Sequence, residues 1–212
     1  MNDFETRFYD ANLEKREDAK PGTIYGRPIV FNSVADIGPF DEVIMPGALD
    51  ETDLTDVRLC LNHDTSYVYA RSRRNNPKST MRLMPDASGM TIEADLDIEG
   101  SPAARDLYSA IVRENLDKMS FMFSIAEDAW ENLDTEHPLR RITKIRSVVE
   151  VSAVTFPAYN STEIYARSKE ALESARSALE NARQQRATEV ETSDIDETLL
   201  LLRAQTETLR LK

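Results

Sequence analysis

The chain has 212 residues, 41% of them hydrophobic, with seven tyrosines and seven phenylalanines, which suits one ordinary domain plus an appendage. A formal charge of −12 excludes a duplex nucleic-acid binder, because such a protein needs a basic face to meet the phosphates. The lone cysteine, Cys60, excludes an internal disulfide and fits a reducing compartment, and no apolar stretch has signal-peptide or membrane-span length, so a soluble intracellular protein with no membrane partner is expected.

Residues 1–167 read as a β-rich α+β domain, a small barrel with one or two helices around it. GTIYGRPIVFN (22–32) is a strand in which Pro28 predicts an edge or a bulge. PFDEVIMPGALDET (39–52) reads as a loop into a short helical turn, punctuated by Pro46 and Gly47. VRLCLNH (57–63) is a strand. STMRLMPDASGMTIEADL (79–96) is a hairpin, with Pro85, Asp86, Ser88 and Gly89 at its turn. SPAARDLYSAIVREN (101–115) is a helix: Ser101 suits the N-cap, Pro102 the first helical position, and Ala104, Leu107, Ala110 and Ile111 make an apolar stripe. MSFMFSIAEDAW (119–130) is a strand, ENLDTEHPLR a turn, and RRITKIRSVVEVSAVTFPAY (140–159) a long strand or bent pair. Residues 168–212 form a second unit without glycine, proline or aromatics. Leu172, Ala175, Leu179 and Ala182 step by three and four, as do Ile195, Leu199, Leu202, Thr206 and Leu209. They predict two amphipathic helices separated by a polar break at 188–194, with Asp194 and Glu197 as a capping pair. Such an arm packs on its own domain, serves as an assembly contact, or is disordered.

Three polar intrusions into strand-like runs carry the chemistry: His63, Ser120, and Glu150 with Ser152. Buried polar side chains in such runs cost free energy unless partnered, and a histidine, a serine and a carboxylate on strands are the parts of a serine hydrolase. Strand alternation puts Ser120, Met122 and Ser124 opposite Phe121, Phe123 and Ile125, and places Glu150 with Ser152 opposite Val149 and Val151. A loop at 132–138 joins the two strands, so antiparallel pairing makes their polar faces coincide. On 57–63, alternation sets His63 with Leu59 and Leu61, away from Cys60, which disfavours a cysteine–histidine dyad. Structural readings stand beside these. A strand-end histidine is often an ordinary hydrogen-bonded residue, serines commonly open strands, and Glu150 could pair with Arg140, Arg141 or Arg146. His137 reads as a loop residue. The two histidines and scattered aspartates show no zinc-ligand spacing, and no glycine-rich phosphate loop is present, so neither metal nor cofactor is expected.

The motifs GRPIVFN, FDEVIMPGALDE, VRLCLNHD, GMTIEADL, LYSAIVREN into KMSFMF, and VVEVSAVTFPAYNSTEIYAR follow one another across residues 22–167. In that order they resemble the prohead (capsid maturation) proteases of tailed bacteriophages, a family similar in fold to the herpesvirus capsid proteases. The resemblance implies a serine endopeptidase with Ser120 as nucleophile, His63 as general base and an acidic third member, best matched by Glu150. His137 would suit the herpesvirus order His–Ser–His, and Ser152 would assist by a hydrogen bond. Met122 departs from the small residue many relatives carry there, which narrows the cleft beside the nucleophile. Arg71, Arg73 and Arg74 are candidate supports or an exposed basic loop. The implied substrates and partners are the major capsid protein and its scaffolding segment, and the chain itself, inside the procapsid in the host cytoplasm, with a homo-oligomer, dimer or higher, as the working form. The arm would contact scaffold or be removed by autolysis. Two other classes compete: a catalytically silent assembly factor on the same fold, and a β-barrel binding module with a coiled-coil arm.

Overall fold

The computed structural model describes residues 4–16, 19–155 and 172–188. In chain order the elements are β1 (Glu5–Glu14), β2 (Thr23–Val30), β3 (Val34–Asp36), β4 (Asp41–Ile44), β5 (Asp56–Leu61), β6 (Ala70–Arg73), β7 (Met81–Asp86), β8 (Gly89–Asp95), α1 (Pro102–Val112), β9 (Lys118–Glu131) and β10 (Leu139–Val154), followed by a helix at residues 172–188, α2. The fold is α+β and dominated by strands, as expected. Among the described residues no helix is long and apolar enough to cross a membrane.

The β9–β10 hairpin is its spine. Fourteen and sixteen residues long, these strands pair antiparallel through four register shifts, and Ser120 lies opposite Ser152. On its outer edge β10 takes two parallel partners in succession, β4 against Leu139–Ile142 and β5 against Glu150–Ala153. On the other side β9 pairs with β1, which continues to β2, β8 and β7. A ring of strands would close if β6 and β7 joined. Instead they meet at a corner, where Thr80 N–H donates to Arg71 O (3.0 Å) and Thr80 Oγ1 accepts from Arg71 N–H (3.0 Å). No ladder links them among the described residues, so the sheet is curled but open, and the closed barrel expected from the sequence is corrected.

Alternation explains the core. Phe121, Phe123, Val151 and Leu59 are fully buried on one face of β9, β10 and β5, and meet Ile24, Met90, Ile92, Leu107 and Ile111 in a single cluster. Each such large side chain contributes roughly 1.5–3 kcal/mol by leaving water. Helix α1 starts as its sequence predicts, with Ser101 Oγ accepting from Ala104 N–H (3.2 Å) and Pro102 in the first turn. The β7–β8 turn also forms where expected: Asp86 accepts from Ser88 N–H (2.7 Å) and, bidentately, from Arg27. Gly89 is required there, because at φ +142° any Cβ would lie 2.0 Å from Ile29 O. Pro28 marks a shift in the β2–β8 register, the bulge it predicts.

One expectation is corrected. The segment at 39–52 opens with a strand, β4, before its turns. Residues 5–14, for which the sequence predicted no element, form β1, whose Arg7 is buried in an ion-pair network. Arg7 Nε–H donates to Glu42 Oε1 (2.5 Å), Arg7 also bonds Glu5, and Arg140 reaches Glu5 (3.1 Å), Glu42 (3.4 Å) and Asp128 (2.6 Å). Glu42 is fully buried. This cluster ties β1, β4, β9 and β10 together.

Of the arm, α2 is described. Its Ala175 and Leu179 are buried against Ile37, Phe40 and Leu133, while Arg183 donates to Leu133 O (3.0 Å) and Thr135 O (2.9 Å). The second arm helix (195–209), the boundary at 167 and the FPAY segment (156–159) lie outside the described residues.

Candidate active site

The row Cys60–Ser152–Ser120 crosses β5, β10 and β9 in register, so these side chains share the face opposite the core. Glu150, two residues before Ser152, shares it too. All four are buried. The antiparallel pairing predicted from the 132–138 loop therefore brings the serine and the carboxylate together as expected.

His63 joins them by a route that alternation misses. Strand β5 ends at Leu61, and Asn62 (φ 51°) and His63 (φ 60°) are both left-handed. Asp64 N–H donates to Leu61 O (3.0 Å), closing a turn with positive φ at both central positions. The turn reverses the direction in which residue 63 points. The expected placement of His63 with Leu59 and Leu61 is thus corrected: the ring lies on the Cys60 face. Two features hold this uncommon backbone. Asn62 N–H donates to Ala153 O (2.9 Å), and Asn62 Oδ1 accepts from Thr155 N–H (3.0 Å) and Thr155 Oγ1–H (2.9 Å).

The resulting geometry is a relay. His63 Nε2 lies 2.7 Å from Ser120 Oγ, and His63 Nδ1 lies 2.7 Å from Glu150 Oε2. Ser152 completes a ring: its Oγ accepts from His63 N–H (3.0 Å) and donates to Glu150 Oε1. One carboxylate therefore braces residue 63 through both its imidazole and, by way of Ser152, its main chain. Ser120 Oγ is also 2.8 Å from Arg7 O, a second acceptor for its single proton. That carbonyl, and the Arg7 network that fixes it, were not identified from the sequence. The alternating Glu5 and Arg7 of β1 were the only signal for them.

The other candidates fall away from this cluster. Glu150 does not pair with the arginines considered for it: Arg140 bonds Asp128, Glu5 and Glu42, Arg141 bonds Glu131 (2.6 Å), and Arg146 reaches Ile125 O. Arg71 is paired with Asp56 (2.5 Å) and Arg73 with Lys78 O (2.9 Å), while Arg74 N–H donates to Thr55 O; these contacts brace β5 and β6. His137 sits in the β9–β10 loop, at the opposite end of the hairpin from Ser120, with Nε2 3.0 Å from Asp41 Oδ1. Asp36, Asp41 and His137 bring ligand atoms within 4.8 Å of one another, an exposed to half-exposed group already accounted for by that hydrogen bond. Met122 pairs with Glu150 across the hairpin and is half-buried beside the site. Cys60 shares the face of Ser120 and Ser152 after all, but burial first, and then the Glu150 charge, push its thiol up to about 12. It stays protonated at neutral pH and is a poor nucleophile.

A model of the family described as caudovirus prohead serine protease matches residues 9–177. The chain belongs to that family. The match starts inside β1 and ends inside α2, so it takes in part of each. The chain is also 27% identical over 162 residues to the Prohead protease of Enterobacteria phage HK97, an alignment covering 75% of this chain and 66% of that relative. This chain therefore aligns with just under two thirds of the relative's length. No solved structure matches it.

Proposed function

We propose that this chain is the serine endopeptidase of phage procapsid maturation, with Ser120 as nucleophile, His63 as general base and Glu150 as the residue that orients the imidazole. One observation carries the reading: a single imidazole stands 2.7 Å from both a serine hydroxyl and a buried carboxylate. With Nδ1–H donated to ionised Glu150, Nε2 keeps its lone pair for the Ser120 proton. As Oγ bonds to the scissile carbonyl carbon, its proton passes to Nε2 and the carbonyl π electrons move onto oxygen. The imidazolium then lies against Glu150. Collapse of the adduct breaks the C–N bond, and Nε2 returns the proton to the leaving amine. Water, deprotonated by the same nitrogen, hydrolyses the acyl-enzyme. Ser152 holds the second oxygen of Glu150 and so fixes the carboxylate plane.

When His63 is doubly protonated it donates to Ser120 Oγ, and the hydroxyl turns to Arg7 O. That carbonyl is the alternative acceptor for the Ser120 hydroxyl whenever Nε2 carries a proton of its own. The substrates proposed are the capsid protein's scaffolding segment and the chain itself, cut inside the procapsid in the host cytoplasm, with a homo-oligomer as the working form. Residues 168–212 are proposed as the arm that contacts scaffold or is lost by self-cleavage. A fluorophosphonate tests the chemistry directly. Peptide mapping is expected to find its phosphonyl adduct on Ser120 in the wild-type chain and on no residue of His63→Ala. A wild-type chain that hydrolyses peptides while Ser120 stays unmodified would refute the assignment.

A further inference from the structure

Immediately beside the candidate base lies a cavity of about 240 Å³, lined by Leu61, Asn62, Asp64, Tyr67 and Tyr69. Asn62 and Asp64 are the chain neighbours of His63, so the cavity opens within one residue of the imidazole. The catalytic mechanism uses none of its side chains. Its lining combines an apolar wall (Leu61), the Asn62 amide, two tyrosine rings with centroids 5.2 Å apart, and the Asp64 carboxylate. Tyr67 and the next residue, Val68, are exposed, two of the few large hydrophobic side chains left on the described surface.

We propose that this cavity is the subsite that reads one substrate side chain next to the scissile bond, and that it takes lysine or arginine. The proposal rests on the protease reading above. An aliphatic stem fits against Leu61 and the tyrosine faces, a cationic head is attracted to those faces, and Asp64 supplies the counter-charge. The cavity is too small for more than a single side chain by comparison with ligand clefts, which begin near about 300 Å³. Its electrostatics agree. The Tyr69 hydroxyl is pushed up, by burial first, and among the neighbouring groups that add to the shift are two carboxylates, Asp64 and Asp106. A cation is the occupant such surroundings favour. Asp64 is also anchored for the task, accepting from Ser66 N–H (3.0 Å) through Oδ1, and asparagine at 64 keeps that acceptor while removing the charge.

The test has two arms, both using the full chain. In the first, wild type digests a proteome-derived peptide library prepared with a glutamate-specific enzyme, and the new termini are sequenced by mass spectrometry. Lysine and arginine are expected to be enriched at one fixed position flanking the cut, with the enrichment reduced about fivefold or more in Asp64→Asn. In the second, acetyl-Gly-Lys-Gly amide and its norleucine analogue are titrated into Ser120→Ala, and tyrosine ring signals are followed by NMR. The lysine peptide is expected to bind about tenfold more tightly and to shift Tyr67 and Tyr69. A library cut without basic preference, or equal affinity of the two peptides, overturns the pocket and leaves the catalytic reading standing. Lysine-selective binding with an uncut library does the reverse.

Discussion

His63→Ala is expected to lower kcat on the proposed capsid–scaffold substrate by about 10⁴–10⁶-fold, and Glu150→Gln by about 10³–10⁴-fold. The difference follows from the geometry. Without the imidazole, Ser120 keeps only Arg7 O as a hydrogen-bond acceptor, and a carbonyl cannot remove its proton. With glutamine at 150 the ring remains, but an amide at that position no longer stabilises the imidazolium and can direct its N–H donors at Nδ1, favouring the wrong tautomer. Because the two residues act through one proton, the double variant should be no slower than His63→Ala alone. Single-turnover cleavage followed on gels measures all three. Effects that multiply in the double variant would mean that Glu150 acts elsewhere than through the histidine.

Arg140→Met is expected to cost about 3–5 kcal/mol of folding stability at pH 7.5. Arg140 is the hub among Glu5, Glu42 and Asp128, and its loss leaves Glu5 and Glu42 with Arg7 and removes the ion pair that Asp128 makes. Methionine fills much of the same volume, so the loss reflects charge rather than a cavity. The pH dependence has a definite sign. Burial alone would push Glu5 up, but the charges and hydrogen bonds of Arg7 and Arg140 outweigh it and hold the carboxyl below its ordinary value. A depressed carboxylate stabilises the fold fully above its unfolded value, about 4.3, and that contribution disappears as pH falls through the lower folded value. In the variant Glu5 loses a compensating charge and titrates higher. The gap between wild type and Arg140→Met in urea unfolding should therefore narrow between pH 7.5 and pH 4. A gap that is constant with pH would point to packing as the cause.

How much of this was legible in the sequence depended on whether local pattern and tertiary role agreed. They agreed at Ser101 and Pro102, whose capping chemistry needs no distant partner, and at Asp86 and Gly89, where turn geometry dictates residue type. They agreed again at Ser120, Glu150 and Ser152, because period-two alternation along an antiparallel hairpin carries a face across both strands. At His63 they did not. Two consecutive left-handed residues inverted the face, and nothing in VRLCLNHD distinguishes Asn-His in such a turn from a strand continuing. Strand β1 stayed hidden because its buried face is charged: Glu5 and Arg7 look like surface until Glu42 and Arg140 arrive from 35 and more residues away. The closed barrel failed for a similar reason. Strand count and spacing suggest closure, whereas a missing ladder between β6 and β7 is a property of pairing alone.

The most direct test is co-expression of the chain with its capsid and scaffold proteins, wild type against Ser120→Ala, read by intact-mass spectrometry. The account predicts defined truncations of the scaffolding segment, and of this chain's own arm, in the wild type, with every mass restored to full length in Ser120→Ala. Truncations that persist in Ser120→Ala, or full-length masses in both, would contradict it.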